Sequence, residues 1–222
     1  MKKFIVLDTE ATNTGRADSR NFGVGASVYD LGFVVADASG AIYEQHSMAL
    51  MDVLDDPALM ASAYYADKLP QYHEGIKTGE WQPTITREAL RTLRDAIKRY
   101  NVKDVWAYNA RFDRDALNSS VSQASNGFVS WALPYGVCWR DILPLTRATV
   151  GSTKKYAKFC EDNGLMTAHK TPRPRMTADS VGKYLHGKDY AERHTALSDA
   201  QDELAILLKC LKYRKKLPKR FN

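Results

Sequence analysis

The chain has 222 residues, 44% of them hydrophobic, and a formal net charge of +6. That length and apolar content support one substantial core, and they argue against a disordered or fibrous chain. No apolar run approaches a membrane span, the stretch after Met1-Lys2-Lys3 is too short for a signal peptide, and three widely spaced cysteines (Cys138, Cys160, Cys210) form neither a disulfide framework nor a zinc motif, so a cytoplasmic protein with reduced thiols and no membrane partner is expected.

Residues 2–12 read KKFIVLDTEAT. An unbroken apolar run predicts a central strand covered on both faces. Residues two apart in a strand share a face, so Asp8 and Glu10 project together with Thr9 opposed. Paired like charges at the end of a buried strand need a shared proton, a basic partner or a bound cation. A divalent cation is the expected partner of this pair. Taken alone, the pair reads more readily as the solvated end of a core strand, and it becomes informative only with matching acids elsewhere.

Residues 13–26 are rich in Gly, Asn, Ser and Asp and read as a loop. Residues 28–36 and 41–50 flank the turn cluster Asp37-Ala38-Ser39-Gly40 and read as a hairpin. With the first strand they predict an antiparallel meander. Residues 51–83 read as an insertion or lid of irregular helices. Its aromatics Tyr64, Tyr65, Tyr72 and Trp81 either stack on bases or form a small local core, the second being preferred.

Thr84–Tyr100 has helical spacing of Leu90, Leu93 and Ile97, with Thr84 or Thr86 as cap. Val102–Tyr108 reads as a strand, Asn109–Val121 as a helix and Gly136–Trp139 as a short strand. Helices are expected over 142–150, 153–163, 176–185 and 197–213. Between two of them, His169–Arg175 (HKTPRPR) reads as a basic loop stiffened by proline. The tail over 209–222 holds seven basic residues and no acid. It reads as a solvated run or as a phosphate contact.

In mixed α/β sheets, ligands sit at the carboxyl ends of central strands. Asp113 follows the strand 102–108 in the first turn of a helix, where a carboxylate is favoured by exposed amides. Asp115 is out of phase with it. In the last helix Asp199 falls at the border of the apolar stripe, roughly 120° from its centre, and Asp202 falls opposite the stripe, in water. Glu203, one turn on from Asp199, is the alternative ligand. His194 would face about 140° away from Asp199 on one regular helix, so it is placed on the preceding loop.

These three segments, in this order, resemble the DEDDh branch of the 3′–5′ exonucleases. D-x-E stands as Asp8-Thr9-Glu10, N-A-x-F-D as Asn109 to Asp113, and H-x-x-x-x-D as His194 to Asp199. Val137–Asp141 (VCWRD) also looks like the family's short strand entering a helix. The family often continues its first motif as D-x-E-T-T-G; here the run is D-T-E-A-T-N, which keeps the second Thr as Thr12 and lacks the Gly. The resemblance implies one RNase H-like α/β domain over 1–222, a mixed five-stranded sheet with helices on both faces. It implies hydrolysis of the 3′-terminal phosphodiester of single-stranded DNA or RNA, releasing nucleoside 5′-monophosphates, with two Mg²⁺ or Mn²⁺ ions. Hard cations prefer oxygen ligands. By the same resemblance Asp8 bridges both ions, Glu10 and Asp199 serve the nucleophile side, Asp113 acts on the second ion, and His194 is the general base. Thr12, Asn109, Lys170 and Arg173 are the implied substrate contacts. The implied partner is a nucleic acid with a free 3′ end, with homodimer formation or polymerase association as further options. The rival reading is a catalytically silent nucleic-acid-binding or polymerase-associated module, which predicts loss of a ligand; all four carboxylates and the histidine are present.

Overall fold

β1 (Lys3–Ala11) is the spine of the fold. A computed structural model of the protein describes residues 1–12, 25–63 and 66–213. The expected loop over 13–24, Tyr64, Tyr65 and the basic tail from 214 onward lie outside the described residues. β1 pairs antiparallel with β2 (Val28–Asp37), and β2 pairs antiparallel with β3 (Ile42–Leu50), so the meander forms as expected. On the other flank of β1, β5 (Asp104–Ala107) and then β6 (Cys138–Asp141) join in parallel.

Among the described residues the sheet has six strands, in the order β4-β3-β2-β1-β5-β6, against the five expected. The addition is β4 (Gln82–Thr84), parallel to β3 at one edge. Three residues around Pro83 carry no strand pattern. Proline lacks a ladder donor and is tolerated on an edge, which is where it lies.

Side-chain alternation divides β1 between two cores. Ile5 and Leu7 pack with Leu31, Phe33 and Val35 under α4 (Thr86–Arg99) and α5 (Arg111–Ala124). Phe4 and Val6 pack with Val34 and Ala36 on the opposite face. That face is covered by α6 (Ile142–Ala148), α7 (Lys154–Asp162), α8 (Ala178–His186) and α9 (Ala196–Leu211). Neither α4 threonine is its cap: Ile85 holds the N-cap position, and Asp52 accepts the Thr86 N–H at 3.0 Å.

Residues 51–83 form α1 (Met51–Leu54), α2 (Pro57–Met60), a 3₁₀ turn at Ala66–Lys68 and α3 (Leu69–Thr78) before β4. Tyr72 and Trp81 are buried against Tyr29, with centroids 5.7 Å apart for Tyr29–Tyr72 and 4.8 Å for Tyr72–Trp81. These two aromatics are therefore local core, and base stacking by them is excluded. Gly75 makes this possible, since a Cβ there would lie 2.2 Å from the Trp81 ring. The three cysteines are free thiols. Among the described residues, no helix is long and apolar enough to cross a membrane.

Candidate active site

The alternation that sends Phe4 and Val6 toward α9 also sends Asp8 and Glu10 there. Asp8 stands opposite Gly32 of β2, and Glu10 opposite Asp30. Gly32 is what lets α9 approach: a Cβ there would lie 2.0 Å from the Leu197 nitrogen. The start of α9 therefore rests on bare backbone beside Asp8. Asp199, in the first turn of α9, is brought to the strand carboxylates. One oxygen each from Asp8, Glu10 and Asp199 lies within 4.8 Å of the others.

Asp113 comes from the opposite face. It is buried in the first turn of α5, and Thr9 donates its hydroxyl to Asp113 Oδ1 at 2.9 Å. Thr9 thus aligns the fourth carboxylate from the far side of the strand. Asp113 is not part of the close triad, but it is the charge that weighs most on Asp8. Glu203 is buried one turn beyond Asp199 and accepts the Tyr108 N–H at 3.0 Å. That bond occupies one of its oxygens, while Asp199 Oδ1 is buried with no hydrogen-bond partner among the described residues. Of the two α9 acids weighed from sequence, Asp199 is the one the structure joins to Asp8 and Glu10.

Crowding five acids in a desolvated corner has a cost. Burial first, then Asp113, Glu203, Glu10 and Asp199, hold Asp8 well above the usual carboxylate range. Burial and Asp30 push Glu10 up to about 9. Burial lifts Asp113 to about 7, and burial together with Asp202 lifts Asp199 to about 7. Glu203 is raised strongly by burial and by Asp113. An all-oxygen donor set with an unpartnered, desolvated oxygen fits a hard divalent cation. Such an ion would replace mutual repulsion with attraction.

His194 precedes α9 on a loop, as the helical phase requires, with φ of 54°. Its Nδ1 lies 4.0 Å from Asp199 Oδ2 and 3.8 Å from Glu192 Oε2. Burial, and then the charge of Lys68, lower its pKa below the ordinary value.

The remaining sequence candidates divide. Thr12 is buried at the end of β1, where its Oγ1 accepts the Ser27 N–H at 2.9 Å. Asn109 is exposed with φ of 61°, at the turn joining β5 to α5, and its N–H is accepted by Asp141 Oδ1 at 3.0 Å. Lys170 and Arg173 are exposed on the loop between α7 and α8; among the described residues, no hydrogen bond or ion pair links either to the acids. Asp115 is paired with Arg114 at 2.9 Å. Asp202 is not free in water, because it is half-buried and accepts the Tyr190 hydroxyl at 2.6 Å.

Sequence reading missed two supports. Asp30 is fully buried; its Oδ2 accepts the Tyr72 hydroxyl at 2.8 Å and the Ala196 N–H at 3.0 Å, which pins the start of α9. A charged residue inside the apolar run VYDLGFVVA was the available signal. Lys68 donates to the carbonyls of Arg193 and His194 at 2.6 and 3.2 Å. Nothing local in the sequence marks it.

Strand order, two helical layers and acids at the end of the central strand define an RNase H-like α/β fold, the fold of DEDDh exonuclease domains. The nuclease domain of 3′hExo, a DEDDh family member solved bound to rAMP, matches 98% of this chain and 95% of its own with a TM-score of 0.56 at 13% identity. Escherichia coli exonuclease I in complex with a dT13 oligonucleotide matches with a TM-score of 0.61 at 12% identity. The present chain is covered in full but spans only 43% of that exonuclease I chain. A second exonuclease I complex, with dA16, gives 0.58 at 13% identity over 96% of this chain and 41% of its own. No protein-family model and no curated protein sequence matches the chain.

Proposed function

We propose that the protein is a cation-dependent 3′–5′ exonuclease acting on a single-stranded nucleic acid and releasing nucleoside 5′-monophosphates. The observation that carries this reading is the convergence of Asp8, Glu10 and Asp199 within 4.8 Å beside a loop histidine. The folds of 3′hExo, bound to rAMP, and of exonuclease I, bound to oligonucleotides, support the substrate class.

In this reading Asp8, Glu10 and Asp199 would hold a divalent Mg²⁺ or Mn²⁺ ion. Asp113, whose charge faces Asp8, would help hold a second. Bound there, such ions polarise a phosphoryl oxygen and make water a better nucleophile at neutral pH. The chain's own contribution is orientation and proton transfer. Thr9 keeps Asp113 turned toward the strand end. Asp30 holds the first amide of α9 and so the distance from Asp199 to Glu10. His194, kept neutral by its lowered pKa, takes a proton from the attacking water on an imidazole nitrogen. Lys170, Arg173 and the overall positive charge would steer the phosphate backbone without sequence preference.

The test is degradation of 3′-labelled DNA and RNA single strands with Mg²⁺ or Mn²⁺, with and without EDTA. Terminal label should be lost only when the cation is present, and a circular strand should survive. Binding without cleavage under every cation condition would favour a silent nucleic-acid-binding module instead.

A further inference from the structure

We propose that Lys68 is a positioning residue that holds the His194 loop in register with the acids, and that bracing this loop is the role of the segment from the 3₁₀ turn to β4. This inference rests on the nuclease reading for its kinetic consequence, but not for its structural one.

The loop needs holding. His194 has φ of 54°, in the left-handed region that a non-glycine residue enters only at a steric cost. Such a conformation persists only where the surroundings over-determine it. An open cleft of about 420 Å³ adjoins the loop, with Tyr190, Ala191, Arg193, Thr195, Glu80 and Trp81 among its lining residues. Polar tethers reach the loop beside that cleft.

Two tethers come from one segment. Lys68 donates to two successive carbonyls, those of Arg193 and His194, at 2.6 and 3.2 Å. Tyr72, one turn into α3, donates to Asp30, which in turn accepts the Ala196 N–H. The left-handed residue is thus gripped on both sides, at 193–194 by a side chain and at 196 through a relay. The segment can bear that load because Tyr72 and Trp81 are buried against Tyr29. A lysine suits the position, since its ammonium offers three donors and can serve adjacent carbonyls at once. Its charge also lies near Glu10 and Asp199, opposing their mutual repulsion.

The experiment compares full-length wild type with Lys68→Met, which keeps the stem and removes the donors, Lys68→Arg, which restores them, and Lys68→Gln, whose shorter, neutral side chain draws its amide back from both carbonyls. Amide hydrogen exchange over 191–196 is read first, because it needs no activity. Lys68→Met should speed exchange there at least about tenfold while β1 and β2 stay protected, and Lys68→Arg should return it to near the wild-type rate. On a 3′-labelled strand with Mn²⁺, kcat of the Met variant should fall about 10- to 100-fold with KM little changed. Unchanged exchange and kcat would overturn the proposal. So would a rise in KM alone, which would make Lys68 a phosphate contact. Were the Met variant to unfold, Lys68→Gln with wild-type exchange and turnover would equally overturn it. If wild type cleaves nothing, the nuclease reading fails, and the exchange comparison still decides whether Lys68 holds the loop.

Discussion

Strand parity alone places Asp8 and Glu10 on one face with Thr9 on the other, and that is how the residues stand. What parity cannot supply is a partner. Asp30 and Lys68 act on residues 166 and 125–126 positions away, so no local pattern betrays them. Asp202 was misplaced because its helical phase points away from the core, yet Tyr190 on the preceding loop folds over it. Two predictions belong at this scale. Asp8→Ala should reduce cleavage to background, while its melting temperature in EDTA equals or exceeds that of wild type, because one member of a repelling cluster is gone. Asp199→Ala should likewise be inactive, whereas Asp202→Ala should keep near wild-type turnover and lose about 1 kcal/mol of stability with the Tyr190 bond. A reversal of these two activities, measured on the same labelled strand, would move the site one face around α9.

Among elements, the long periodic ones were legible: the meander, α4, α5 and α9 fall within a few residues of their expected spans. β4 was not, because three residues around a proline have no period to read. The depth at which α9 sits was also unreadable, although it decides where Asp199 goes. It depends on Gly32, whose missing side chain matters only once α9 is in place. Gly32→Ala should therefore destabilise the protein by about 3 kcal/mol or more in urea melts, the upper end of overpacking costs, because the clash is with backbone and no rotamer relieves it. The corresponding change at Gly79, where an added Cβ meets nothing within 4 Å but φ is 82°, tests backbone strain alone and should cost less.

At the scale of the whole molecule, the acid cluster ties stability to pH. Asp113 and Asp199 stand at about 7 and Glu10 at about 9 in the folded chain. In an unfolded chain the same groups ionise near pH 4, about their unperturbed values. Between those limits the native state holds protons that the unfolded state has released, so stability falls as pH rises. In EDTA, melting temperature should drop from pH 5 to pH 9, and saturating Mn²⁺ should flatten that slope. A slope unchanged by the cation would mean that the ion binds elsewhere.

The protons on these crowded acids have a further consequence for how a divalent ion would be acquired under the proposed function. Each carboxyl would have to give up its hydrogen before serving as a ligand, so loading would exchange hydrogen ions for a doubly charged one. The swap leaves the overall charge nearly unchanged, and electrophoresis would scarcely register it. An unbuffered solution at neutral pH would instead turn acid as manganese is added, and the heat of titration would track the ionisation enthalpy of whichever buffer absorbs the released protons.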